Sequence, residues 1–393
     1  MSLKLTDDFL IISLYILSSA MLFGQFMGIH IITSLAFAAS FVVVLVLWCL
    51  HIRKANALDI LAIFIIMLSF AGAIITCTSL SADYFYNWIM FIAVFLYFSV
   101  CFKIKLKKST IKTMFALNFL SGAFCILAYF LRYNSAFYVT NIGIRYLKFD
   151  FYNPNALALF LVVIILTGMQ YFFMYKVRLG LLFEVCYVAF FVFLIVQTLS
   201  RTSTLAILFF IIISIVFARK RSYYLPQNGI FKTLVTIFPL LFAFVYMLII
   251  DIINQNGFLS FMAGEGKGLD SRQEVWSYAF DLFEQSPLVG SYGDLVTSSE
   301  LSQMHNSHMN ILVSYGIIVF IMVMIFLYMV LSKSIKNAKG NKGALAVWAF
   351  IVCLILGSGE AILFSGGLSF YLLVGQFLIL SRADLGNEGE LRL

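Results

Sequence analysis

The sequence predicts an all-α, polytopic integral membrane protein of about twelve transmembrane helices, with one more helix carried in an outer loop. Three observations support this. Of 393 residues, 63% are hydrophobic and 11% charged, and the mean hydropathy is +1.02; soluble domains run near half apolar and about a quarter charged. A water-soluble core of this size could not hide so much apolar surface, so lipid must be part of the solvent. Apolar runs of span length follow one another along most of the chain, and basic residues gather in alternate connections between them, the bias that marks cytoplasmic loops. Disordered, fibrous and disulfide-rich secreted classes fall away on the same composition. The net charge of +8, from 26 Lys and Arg against 18 Asp and Glu, is then a topology signal rather than a nucleic-acid surface.

A crossing helix needs about 20 mostly apolar residues. Twelve runs qualify, at roughly 9–28, 31–50, 58–80, 87–102, 113–131, 154–174, 181–199, 203–218, 233–251, 310–332, 344–363 and 366–381. The first lacks a small-residue cleavage site and is followed almost at once by another, so it reads as a span and not a signal peptide. The run 87–102 is short, and only Ser365-Gly366-Gly367 separates the last two. With the N-terminus inside, twenty of the 26 basic residues fall on inner segments, and all seven inner segments are basic. Both termini are therefore expected in the cytoplasm. Arg132, Arg145, Lys148, Arg201, Lys267 and Arg272 fall outside, where topology does not account for positive charge, and this makes them candidates for function. The six cysteines, Cys49, Cys77, Cys101, Cys125, Cys186 and Cys353, lie in or beside apolar runs without metal-site spacing and read as buried thiols.

The chain reads as a single membrane domain over 1–393, with two long outer loops at 132–153 and 252–309. Loops of such length without a role are uncommon. In the second, Ser271-Arg272-Gln273-Glu274 fits a capping box with Ser271 as N-cap. Val275, Trp276, Ala279, Leu282 and Phe283 then recur at helical spacing, and Pro287 and Gly290 end the segment. An amphipathic helix is expected there, lying on the spans or at the lipid surface.

The polar residues that chemistry would need collect on this outer side. Arg272 falls in the first turn of the expected helix, where free N–H groups and partial positive charge favour phosphate; a solvated arginine, or one paired with Asp270 or Glu274, is the plainer alternative. Arg201 sits in Ser200-Arg201-Thr202-Ser203-Thr204 between two apolar runs. An ionisable residue at such depth is a functional candidate, unless it snorkels to the headgroups. His305 and His308, at i and i+3 in Met304-His305-Asn306-Ser307-His308-Met309-Asn310, share a helix face. No carboxylate adjoins them to complete a metal site, so a general-base or hydrogen-bonding role suits one of them, against a capping or interfacial pair. No Walker loop, dinucleotide fingerprint, H-E-x-x-H or nucleophile elbow occurs. Carboxylates within the spans are few, among them Glu184 near an inner end and Glu360 near an outer end, which argues against a proton- or ion-coupled pump.

Several short motifs occur in a telling order: Phe151-Tyr152-Asn153-Pro154-Asn155-Ala156-Leu157-Ala158; Ser200-Arg201; Arg272 with Trp276; Pro287-Leu288-Val289-Gly290; His305-Asn306; then Leu312 and Tyr315-Gly316-Ile317-Ile318. That order, over about 150–330, resembles the O-antigen polymerase and O-antigen ligase superfamily. The resemblance implies a GT-C-like fold and a glycan donor on undecaprenyl pyrophosphate, presented on the outer (periplasmic) face of the bacterial inner membrane. It implies that Arg201 and Arg272 bind the pyrophosphate and stabilise the leaving group, and that His305 orients or deprotonates the attacking hydroxyl. Asn306, His308, Asn153, Asn155 and Trp276 would serve substrate binding. Arg145 and Lys148 would touch a second pyrophosphate or acidic sugars, and Tyr146 and Trp276 would stack on sugar rings. The family reaction is thought to invert the anomeric centre and to need no metal, and no cofactor is expected. The sequence favours a polymerase, joining the growing chain to the non-reducing end of a new lipid-linked repeat unit, over a ligase that moves it to lipid A-core. The 304–312 motif and the modest outer loops carry that preference. Partners implied are the lipid-linked oligosaccharide, membrane lipid, a chain-length regulator and a flippase, with no nucleic acid. A flippase itself is the rival from another class, but it should show repeated halves and charges inside its spans.

Overall fold

The computed structural model describes residues 6–76, 82–139, 143, 145–151, 154–175, 180–219, 225–255, 270–291, 304–359 and 368–383. Twelve apolar helices follow one another in the expected order: α1 (Asp7–Met27), α2 (His30–His51), α3 (Ala57–Thr76), α4 (Ala82–Cys101), α5 (Lys108–Leu131), α6 (Pro154–Met174), α7 (Gly180–Gln197), α8 (Arg201–Arg219), α9 (Gly229–Gln255), α11 (Ser307–Asn337), α12 (Gly340–Leu356) and α13 (Leu368–Arg382). Between α9 and α11 lies α10 (Asp270–Gln285), the amphipathic helix of the second long loop. Eight helices, α1–α3, α5–α7, α9 and α11, are long and apolar enough to cross a membrane, while α4, α8, α12 and α13 contribute shorter apolar stretches. The chain is an all-α, multi-pass membrane protein.

Burial sorts the helices. The stretch of α6 is apolar on every side and 83% of it is buried, whereas 17% of α7 is; a helix apolar all round belongs in the interior of a bundle. α12 and α4 also lie inside, with Val347, Phe350, Phe91 and Phe95 wholly covered. Ile31, Leu35, Ile60, Leu181 and Leu248 point outward from α2, α3, α7 and α9, toward lipid rather than water.

The two ends of the bundle differ. The lysine-rich end is tied by short polar bonds: Lys103 Nζ to Asp59 at 2.6 Å and His51 Nε2 to Asp7 at 2.9 Å. Thr110 Oγ1 donates to Asp8 at 2.5 Å, and Arg382 Nη1 to the Cys101 carbonyl at 2.9 Å. At the opposite end Arg132 pairs with Asp150 and donates to the Phe26 carbonyl at 2.8 Å, closing the connection after α5 onto α1.

Several details depart from the sequence reading. The first long loop holds a two-stranded antiparallel hairpin, β1 (Phe137–Val139) with β2 (Arg145–Leu147), pairing Val139 with Arg145 and Phe137 with Leu147. α10 begins at Asp270, so Ser271 stands inside its first turn and is not the N-cap. Cys49 and Cys186 are exposed on the bundle's outside, and Cys101, Cys125 and Cys353 are buried; Cys77 lies outside the described residues.

α11 is interrupted. Gly316 adopts φ 74° and ψ 177°, a conformation open to glycine and costly for other residues. The break frees the Ile317 N–H, which donates to Pro287 O at 2.8 Å, and the Val313 carbonyl, which accepts from Ser291 N–H at 2.7 Å. The strap 287–291 thus docks into the gap in α11, and a Cβ on Gly316 would collide with the Leu288 carbonyl. Gly316→Ala is expected to lower stability by roughly 1–3 kcal/mol, read as a depressed thermal midpoint in detergent. A midpoint equal to wild type would show that strap and break are not locked together.

Candidate active site at one end of the bundle

The site grows from a proline-containing stretch of α9. Pro239 lies within α9. A proline inside a helix has no N–H to give and crowds the preceding turn, which loosens the carbonyl ladder beside it. Two carbonyls of this stretch accept side-chain donors. His308 Nε2 donates to Thr236 O at 2.6 Å, and Asn306 Nδ2 donates to Pro239 O at 2.6 Å. Asn306 Nδ2 also reaches Ser358 O at 3.2 Å, while its Oδ1 accepts the His308 and Met309 N–H groups, each at 3.0 Å. This caps α11. Asn306 is completely buried and all of its polar capacity is spent on backbone. His308 is equally buried. Its bond to a carbonyl assigns the proton to Nε2, which leaves Nδ1 as a buried acceptor with no partner among the described residues.

The turn 357–359 after α12 is the meeting point. Gly357 O accepts the Ser307 N–H at 2.9 Å, and Ser358 O accepts from Asn306. Thr202, in the first turn of α8, packs so closely on Gly359 that a Cβ there would collide with its hydroxyl. The segment carrying His305 and the turn carrying Arg201 therefore flank the same three residues. Both are conformationally marked: His305 has φ 46° and Leu199, two residues before Arg201, has φ 58°. Left-handed backbone at non-glycine residues costs of order 1–3 kcal/mol and tends to collect at functional sites. His305 is half-buried. Arg201 is exposed at the N-terminus of α8, and makes no hydrogen bond or ion pair among the described residues.

α10 is fastened to this assembly by Trp276. Its indole is wholly buried, donates from Nε1 to Met304 O at 2.6 Å, and meets the Tyr246 ring at 5.3 Å. Ala279 and Leu282 bury the same face and Phe280 meets Phe244 of α9, so the expected apolar stripe packs on spans. Arg272 lies one turn before Trp276 on this helix; its side chain falls outside the described parts. The indole expected to stack on a sugar is instead committed to holding the residue just before His305.

The remaining candidates sit nearby but apart from that junction. Arg145 is exposed and stacks over Phe137 at 4.1 Å and Tyr133 at 5.2 Å, and Lys148 lies 5.5 Å from the Tyr138 ring. Burial, then the neighbouring Tyr138, raise the Tyr146 phenol above its ordinary value, so it remains a neutral donor. β2 touches α7, which ends shortly before Arg201. Asn155 is half-buried in the first turn of α6; Asn153 lies outside the described residues, as does Lys267. Sequence reasoning missed Thr236, Pro239 and Ser358. Pro239 inside an apolar run was the available signal.

Residues 186–324 match a family model described as O-antigen ligase. Over this segment the chain is similar to the O-antigen polymerase and ligase superfamily. The superfamily comprises membrane glycosyltransferase-like enzymes acting on lipid-linked glycans. The matched segment begins in α7 and ends within α11. It contains Arg201, Arg272, His305, Asn306, His308, the strap and Gly316, and leaves out the hairpin and the 357–359 turn. No curated protein matches the chain.

Asn306→Ala removes a cap worth about 1 kcal/mol and strands buried carbonyls at roughly 1–3 kcal/mol each. It is expected to destabilise the protein markedly. Asn306→Asp keeps the cap acceptor but sets a carboxylate against Pro239 O and Ser358 O, and should be no better than Ala. Thermal unfolding of the two purified variants checks the order; an Asp variant as stable as wild type would refute the bonds drawn here.

Proposed function

We propose that the chain polymerises O-antigen or a related surface polysaccharide. In this reading it transfers the growing glycan from undecaprenyl pyrophosphate to the non-reducing-end sugar of a new lipid-linked repeat unit, on the outer face of the bacterial cytoplasmic membrane. The observation that carries it is the convergence of the Arg201 turn and the His305 segment on residues 357–359, at the end of the bundle away from the lysine-rich loops.

The chemistry follows from the residue types. Arginine forks match phosphate oxygens and stay charged, so Arg201 and Arg272 hold the donor pyrophosphate. His305 in its neutral form takes the proton of the attacking sugar hydroxyl. The hydroxyl oxygen bonds to the anomeric carbon as the bond from that carbon to the pyrophosphate oxygen breaks. The electron pair leaves with undecaprenyl pyrophosphate, whose growing negative charge the two arginines stabilise. Attack from the face opposite the leaving group inverts the centre, and the two cations supply the charge stabilisation a metal would otherwise provide. Asn306, His308 and Trp276 act as positioning residues: each fixes backbone on one side of His305. Arg145, Lys148, Asn155 and Asn153 bind the glycan or a second lipid-linked unit.

Ligation to lipid A-core is the second reading, and the description of the matched family favours it. One assay separates the two. Purified protein is mixed with undecaprenyl-pyrophosphate repeat units in detergent containing a chelator. A ladder of products is expected; transfer only after lipid A-core is added would make the chain a ligase, and no transfer from any lipid-linked donor would sink the enzyme reading. Arg201→Ala, Arg272→Ala and His305→Ala should each lower turnover by about 10²–10³-fold with folding intact, and Arg201→Lys should restore only part of the loss. Full turnover in Arg201→Ala would remove that residue from the site.

A further inference from the structure

The lysine-rich end carries a feature that glycosyl transfer does not use. A cavity of about 240 Å³ opens between α5 and α6, lined by Lys112, Ala116, Phe119, Tyr171 and Tyr175. That is several times the ~30 Å³ share of one water. Lys112, Ala116 and Phe119 follow at i, i+4 and i+7 along α5, facing Tyr171 in the last turn of α6 and Tyr175 just past its end across the gap. The floor is aromatic: Phe119 meets Tyr171 at 5.1 Å, and Tyr171 meets Tyr175 at 5.0 Å. The rim is cationic. Lys112 Nζ lies 5.6 Å from the Tyr175 ring and pairs with no carboxylate among the described residues. Thr110, two residues earlier, binds Asp8, and Lys103, Lys105, Lys107 and Lys108 precede it in the sequence. Lys112 and Ala116 are exposed, so the cavity opens to the outside of the bundle.

We propose that this cavity binds an anionic glycerophospholipid from the surrounding bilayer, its phosphate on Lys112 and one acyl chain along Ala116 and Phe119. A soluble anion would leave the aromatic floor unfilled, and a zwitterionic lipid would set a second cation beside the Lys112 ammonium. Burial, then Tyr171 beside it, raise the Tyr175 phenol above its ordinary value, which keeps that hydroxyl a donor for phosphate oxygens. Clusters of basic residues at span ends recognise anionic headgroups in this way. The site lies far from Arg201 and His305, so it stands or falls independently of the transferase reading.

The full chain, delipidated in detergent, would be titrated with phosphatidylglycerol, phosphatidylcholine or inorganic phosphate, with bound lipid counted by native mass spectrometry and stability read from the thermal midpoint. One phosphatidylglycerol should bind per cavity and raise the midpoint, with the other two having little effect. Lys112→Gln should weaken retention about fivefold, and Ala116→Trp, which fills the cavity from an exposed position, should abolish it while the protein stays folded. Equal retention of phosphatidylcholine, protection by phosphate alone, or unchanged binding in both variants would overturn the proposal.

Discussion

The carboxamide of Asn306 is the interaction on which the candidate-site end of this bundle depends. Four bonds from one side chain join the start of α11, the kinked turn of α9 and the turn after α12. In lipid the usual drive for helices to associate is weak, because the surrounding tails are as apolar as the helices; close packing and buried polar bonds decide which faces meet. A low local dielectric strengthens those bonds and makes each orphaned group more expensive. His308, two residues on, repeats the device on Thr236 O, so two polar side chains on one short segment clamp it to the same stretch of α9.

Irregular backbone at membrane depth survives only where protein satisfies it, and here two irregularities flank one segment. On α9 the Thr236 and Pro239 carbonyls accept from His308 and Asn306, and on α11 the carbonyl and N–H opened at Gly316 are filled by the strap 287–291. Between them the 304–306 stretch is held in a non-helical path, with His305 left-handed and its preceding carbonyl bonded to Trp276. A histidine on a regular helix would be fixed by its neighbours' rise and rotation. One on a braced non-helical segment can instead face the end of the bundle beside the 357–359 turn.

What was legible in the sequence was whatever depends on neighbours along the chain. Apolar runs located all twelve apolar helices, since burying an unbroken apolar segment in lipid leaves helix as the one economical backbone. The Trp276, Ala279 and Leu282 stripe was visible for the same reason. The hairpin was not: Phe137–Val139 and Arg145–Leu147 are three residues each, too short for a period-two pattern to stand out. The duties of Asn306, His308 and Trp276 were out of reach for a different cause. Polar or aromatic residues beside a candidate base look like substrate contacts, and only partners at Thr236, Pro239 and Ser358, remote in sequence, reveal that their polar atoms are already engaged.

The outer cations can now be separated by what they touch. Arg132 is spent on Asp150 and the Phe26 carbonyl, and Arg145 rests on two aromatic rings that would hold it with or without substrate. Arg201 differs. It stands exposed at a helix N-terminus, so its charge adds to the partial positive charge of the α8 dipole instead of opposing it. No carboxylate among the described residues answers it. Such an arrangement is electrostatically unfavourable in isolation and near lipid is more so. It becomes favourable when an anion occupies the space in front of it, which the pyrophosphate of the proposed lipid-linked donor would supply.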